Sequence, residues 1–254
     1  MIDYHIHIGQ FRDHYYDSLE VFSAIEEFAE KIHISRIYYS STSSCRSDVS
    51  LEKIEEEIAY AQSLISEKIT QLPYLWWTTN YVEQNISIKS AMESFDYCGI
   101  KLHPLAHNWD LTDSKHIESL CQIFQWSSDN NKPILLHSGD SYIENPLRFE
   151  KYYKEFPNAK VILAHCVLTD NIIFLFDNYP NIYGDTACVD HNHIQTLMNS
   201  KYKHRILFGT DFPITHYWAH HLHGEHISLQ EQYKRDCQIL SKAGLYSDCS
   251  REEI

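Results

Sequence analysis

The stretch DYHIHIG at residues 3–9 sets two histidines two positions apart. In a β-strand, residues i and i+2 project from one face, whereas in a helix they point about 200° apart, so a His-x-His pair chelates a metal from a strand. The spacing alone is weak evidence. With 17 histidines in 254 residues, chance supplies roughly one such pair, and the chain has three: His5/His7, His191/His193 and His221/His223. Position separates them. His5 and His7 lie in an apolar, β-branched run. His191 and His193 stand where DHNHIQTLMNS reads as a helix start, and His221 and His223 lie in the loop-like HYWAHHLHGEH, so both pairs read as surface or loop histidines.

Further polar residues recur where apolar runs end: Lys101 and His103 in GIKLHP, His137 in ILLHS, His165 in VILAH and Asp211 in LFGTD. Singly, each reads as a hydrogen-bonded rim residue or a helix cap. Jointly they call for a common explanation, because burying so many titratable groups without partners is costly. Several histidines and one carboxylate in a concave site suit zinc or a similar divalent ion.

The elements that must position these groups follow from periodicity. Short β-rich runs occupy residues 2–8, 36–41, 72–79, 98–104, 133–139, 161–166, 181–188 and 206–213. Between them lie amphipathic helical stretches such as 17–32 and 50–69, and a last helix over 228–240 opens with Ser228 and Glu231 in the capping-box relation. Eight strand–helix alternations in about 250 residues predict an α/β fold, a (β/α)8 TIM barrel forming one domain over residues 1–254. A doubly wound sheet is the alternative, but the chain's seven glycines form no GxGxxG. In a barrel the C-terminal strand ends converge on one mouth, so the polar residues above would meet. SREEI at 250–254 reads as another capped helix start.

Composition narrows the partners. Lys plus Arg total 21 against 35 Asp plus Glu, a formal charge of −14 that repels nucleic acid and anionic membranes. No basic leader or membrane-length apolar run is visible, which predicts a cytoplasmic protein. Seven cysteines without a CxxC pair read as reduced core fillers.

The motifs DYHIHIG, GIKLHP, ILLHSG, FPNAKVILAHC and ILFGTDFP, in this order and spacing, resemble the amidohydrolase superfamily of metal-dependent hydrolases, and within it the amidohydrolase-related group. The resemblance runs over nearly the whole chain. It implies one or two divalent ions, zinc foremost, with His5 and His7 binding the more buried ion. It further implies that His137 completes the histidine set and that Asp211 serves as both ligand and proton shuttle. His165 ligates a second ion in two-metal members, and in one-metal members contacts substrate or the metal's water. Lys101 stays open between a carboxylated bridge, a cation for a substrate carboxylate, and a structural rim lysine. One departure stands out: Cys166-Val167-Leu168 occupies a place where many relatives have a glycine.

The resemblance implies a hydrolase that opens an amide, cyclic amide or lactone bond of a small molecule with metal-activated water, Asp211 moving the proton and His165 or Lys101 facing the oxyanion. An alternative within the group is decarboxylation of a small unsaturated or aromatic acid. A non-catalytic metal-binding scaffold is a third reading, against which the full ligand set argues. Residues 216–226 read as a loop after the eighth strand, forming a lid whose histidines read first as solvated loop residues, with substrate contact by His216, His220 or His221 as the alternative. Trp76, Trp77, Tyr142, Arg148 and Trp218 are candidate wall residues, and Arg12, Arg46 and Arg148 candidate carboxylate binders. Oligomeric state is left open.

Overall fold

The apolar runs become a parallel sheet that curls until its ends meet. The computed structural model describes residues 1–46, 48–139 and 141–242; Cys249 and the helix start expected at 250–254 lie outside the described residues. The strands are β1 (Ile2–Phe11), β2 (His14–Tyr16), β3 (Arg36–Ser41), β4 (Thr70–Trp76), β5 (Gly99–Leu102), β6 (Ile134–His137), β7 (Val161–Ala164), β8 (Ile182–Asp185) and β9 (Ile206–Leu207). All pair in parallel except β2, a short strand not foreseen in the sequence, which folds back antiparallel on the end of β1. The segment after β9 then returns to β1. Tyr4 N–H donates to Phe208 O at 2.9 Å, Asp211 N–H to His5 O at 2.8 Å and His7 N–H to Phe212 O at 2.8 Å. These bonds close the eight parallel strands into the expected (β/α)8 barrel.

Side chains alternate along each strand. One set faces outward into a large core shared with the helices, including Ile37, Leu75, Ile100, Leu136 and Leu163. The other fills the barrel: Ile2, Tyr4, Tyr38, Tyr74, Leu135, Ile162 and Leu207 form its floor, with Tyr4 stacked on Tyr38 at 5.0 Å. Above that floor the inward positions turn polar. In β1 the change depends on a bulge: Asp3 pairs Ile37 and Ile6 pairs Tyr39, so β1 carries one extra residue between them. Tyr4 therefore packs inside while Ile6 and Ile8 face out, a re-aiming typical of bulges beside functional sites. Gly99 lets β5 approach β6, since a Cβ there would lie 2.4 Å from Pro133 O.

The helices are α1 (Ser18–Ile32), α2 (Leu51–Ser63), α3 (Thr79–Glu83), α4 (Ile88–Ser94), α5 (Pro104–His107), α6 (Ser114–Asn130), α7 (Glu150–Glu155), α8 (Asp170–Asn178), α9 (His191–Asn199), α10 (Ile214–His223) and α11 (Leu229–Lys242). As the capping pattern predicts, Ser228 Oγ accepts from Glu231 N–H at the start of α11. Two expectations need correction. The helix expected over 50–69 ends at Ser63, because Ser66 Oγ accepts from the N–H groups of Lys68 and Ile69 and holds a turn there instead. The stretch expected as a loop at 216–226 is mostly α10, which buries Ile214, Tyr217 and Ala219 and stops at Gly224 with φ of 64°. Its many histidines hide that apolar face in the sequence. No helix among the described residues is long and apolar enough to cross a membrane.

Asp3 locks the closure. Fully buried, it accepts from His5 N–H at 3.1 Å, Thr210 N–H at 3.3 Å, Thr210 Oγ at 2.8 Å and Tyr233 Oη at 3.3 Å, so one carboxyl ties β1 to the returning segment and to α11. Asp3→Ala strands these donors and is expected to destabilise the fold by about 3 kcal/mol, read as a lower urea midpoint with an unchanged m value; Tyr233→Phe removes a single donor and should cost about 1 kcal/mol.

Candidate metal centre

The bulge in β1 and the closure onto it bring His5, His7 and Asp211 together. His7 Nε2 lies 3.0 Å and His5 Nε2 3.3 Å from Asp211 Oδ1, and one donor atom from each of the three residues lies within 4.8 Å of the others. All three are buried. The hydrogen-bond partners on the far side of the rings set what faces inward. His5 Nδ1 meets Asp185 Oδ2 at 2.8 Å; a carboxylate accepts, so Nδ1 carries the proton and Nε2 presents a lone pair toward Asp211. His7 Nδ1 lies 3.0 Å from Ser40 Oγ and 3.4 Å from Ser40 O. Lone pair and carboxylate oxygen thus face one another, an arrangement that a cation between them satisfies. The donor set fits a divalent ion of the zinc class, held by His5, His7 and Asp211.

Around this centre stand the remaining groups. Lys101 Nζ lies 3.0 Å from His5 Nε2 and the residue is 1% exposed, so the rim-lysine reading is corrected: an inward position on β5 places it in the interior. His165 Nδ1 faces Ala187 O at 2.9 Å, leaving Nε2 as the acceptor, and His165 forms a second donor group with His5 and Asp185. His137 lines the same cavity but stands in none of these donor groups; its Nε2 meets Glu144 Oε1 at 3.1 Å and its ring stacks on His103 at 3.7 Å. The cavity holds about 260 Å³, walled by Phe11, Trp76, Ile214 and Trp218.

Charge and burial oppose each other here. Burial works against the Asp211 carboxylate, but the surrounding His5, His7 and His165 outweigh it and hold the carboxyl well below its usual range. Burial, then Lys101, keeps His5 well below the usual imidazole value, so it is neutral. Burial also pushes Lys101 down to about 8, with Asp211 and Asp185 pulling the other way.

Several sequence expectations resolve differently. Of the wall candidates, Trp76 and Trp218 line the cavity. Trp77 sits in the outer core with its Nε1 donating to Ser119 Oγ, and Tyr142 is exposed beneath Arg148. Arg46 pairs with Asp48 on the surface, while Arg12 stacks over Trp218 at 4.5 Å. No histidine of 216–226 lines the cavity; His216 is held by Tyr16 and Ile227, and His221 stacks on Tyr217. Ile214 and Trp218 reach it instead, because the helical turn points the histidines elsewhere. Cys45 and Cys188 are cavity-lining residues and not core fillers. Asp185 was missed. The signal was present, since Asp185 ends the run NIYGD as His137, His165 and Asp211 end theirs.

The amidohydrolase family profile matches residues 81–248, more than half of the chain. No curated protein matches. Among solved structures, the chain is similar to an amidohydrolase 2 from Bifidobacterium longum subsp. infantis at 15% identity, covering 97% of this chain and 98% of that one with a TM-score of 0.55. It is similar to the apo form of the Metarhizium anisopliae IDCase at 13% identity, covering 95% and 91% with a TM-score of 0.57. A TatD family hydrolase from Entamoeba histolytica matches at 13% identity, covering 97% and 96% with a TM-score of 0.56. At these identities the structures show the barrel fold.

Asp185 orients His5 through Nδ1 and accepts from His165 N–H at 2.8 Å, the outer carboxylate that fixes a ligating ring. Asp185→Asn is expected to weaken divalent-metal affinity about 10- to 100-fold, measured by competition against a chromophoric chelator.

Proposed function

The chain belongs to the amidohydrolase family, and from that premise we propose that it is a metal-dependent hydrolase, with zinc as the ion, that opens an amide, cyclic amide or lactone bond of a small molecule. The observation that carries this reading is the convergence of His5 Nε2, His7 Nε2 and Asp211 Oδ1 beside an aromatic-walled cavity that His7 and Asp211 line. A divalent ion held by His5, His7 and Asp211 would supply Lewis acidity and would lower the pKa of water enough to furnish hydroxide near neutral pH. Asp211 is ionised and buried beside the reacting position, so it takes the proton from the attacking water and delivers it to the leaving nitrogen or oxygen. Lys101, its ammonium pushed down to about 8 by burial, stands 3.0 Å from His5 Nε2, where it can face a developing oxyanion or a substrate carboxylate. His165, its Nδ1 held by Ala187 O, presents Nε2 as an acceptor.

The cavity favours a compact substrate. About 260 Å³ between Phe11, Trp76 and Trp218 suits a small, flat, partly apolar molecule.

Asp211→Asn should lower turnover by about 10²- to 10⁴-fold with an unchanged far-ultraviolet dichroism spectrum; near-normal turnover refutes Asp211 as the proton carrier. In oxygen-18 water the product of the wild-type enzyme should carry the label. Carbon dioxide release without label would replace hydrolysis with decarboxylation.

A further inference from the structure

Eight non-glycine residues are recorded with positive φ among the described residues. Most have ordinary local reasons. His33, Asn108 and Asn131 are left-handed helix C-caps, Arg12 turns the β1–β2 hairpin, and Asn85 follows α3. The other three are His165 at 60°, Cys188 at 54° and Asp211 at 60°. They come from three separate strand ends, yet one donor atom from each lies within 4.8 Å of the others. A side chain pays a steric penalty in this backbone region, and such penalties cluster where the surrounding fold imposes a functional geometry.

Cys188 is the unexpected member. It opens on solvent at the cavity wall, and its Sγ donates to Asp211 Oδ2 at 3.2 Å. Asp211 Oδ1 is the atom turned to His5 and His7, so the carboxylate's two oxygens address two different donor groups. On the His165 side, Nδ1 is committed to Ala187 O and Nε2 carries the lone pair. Imidazole nitrogen, thiol sulfur and carboxylate oxygen therefore meet at one point.

We propose that Cys188 is a metal ligand: its thiolate, with His165 and Asp211, holds a divalent cation of the softer, zinc-like kind beside the position served by His5 and His7. Thiolate selects such ions over magnesium or calcium, which prefer oxygen ligands. On loading, the Cys188 S–H bond breaks, a sulfur–metal bond forms, and the proton passes to solvent. The proposal rests on the hydrolase reading only in that the cavity takes divalent ions.

The test is cobalt loading of the full chain followed by near-ultraviolet absorption, where a thiolate-to-cobalt charge-transfer band reports sulfur ligation. The wild type should show the band. It should vanish in Cys188→Ser and Cys188→Ala and persist in Cys45→Ser, and each Cys188 variant should release one proton fewer per chain on loading. Stoichiometric cobalt binding without the band, or a band that survives in both Cys188 variants, overturns Cys188 as a ligand while leaving the His5–His7–Asp211 centre intact. A wild type that binds no cobalt overturns both readings.

Discussion

Three backbone hydrogen bonds, from Tyr4 to Phe208, Asp211 to His5 and His7 to Phe212, hold together what the rest of the molecule uses. They join the chain's first strand to a segment some two hundred residues later, which removes the open edges of the sheet. The same bonds set Asp211 directly against His5. The closing ladder is thus also the frame of the candidate centre, and Asp3 sits at the junction with every acceptor oxygen engaged by N–H or O–H donors from both sides.

A closed barrel buries its inward polar residues, and burial of charge is tolerated only with compensation. Lys101, Asp185 and Asp211 are each less than a tenth exposed. They sit among imidazoles whose Nδ1 atoms are engaged by outer partners: Asp185 for His5, Ala187 O for His165 and Ser40 for His7. The lone pairs are thereby directed at the interior before any ligand arrives. This pre-orientation is what an open sheet or a flexible loop would lack, since the outer partners come from different strands held at fixed separation. Glu144 instead meets His137 at Nε2, and among the described residues His137 stands in no donor group with Asp211, so two histidines ending neighbouring strands, His137 and His165, acquire different surroundings.

The mouth is finished by elements outside the regular strand–helix alternation. The β1–β2 hairpin supplies Phe11, and α10 supplies Ile214 and Trp218, which together roof the cavity. Arg12 lies over the outer face of Trp218, extending the aromatic wall toward solvent with a cation. Shape and polarity at the entrance therefore come from the parts of the chain that vary most freely in this architecture.

The strand–helix alternation was legible in the sequence because inward and outward positions alternate in strands and recur every three or four residues in helices, and both patterns survive in a linear reading. The placing of Lys101, His137, His165 and Asp211 at strand ends was legible for the same reason. Asp185 was equally visible and was passed over, because a single aspartate ending a strand looks like a cap until its partner is known. Other features had no local signature. The bulge that turns His5 and His7 inward depends on the register of β1 against β3; the identity of the atom facing each imidazole depends on residues up to 204 positions away; and the role of Cys188 depends on a backbone conformation imposed at the barrel mouth. The residue types and their order came from the chain alone. Which atoms meet was decided by closure, since contact between residues distant in sequence follows from strand pairing and not from any local preference of the residues themselves.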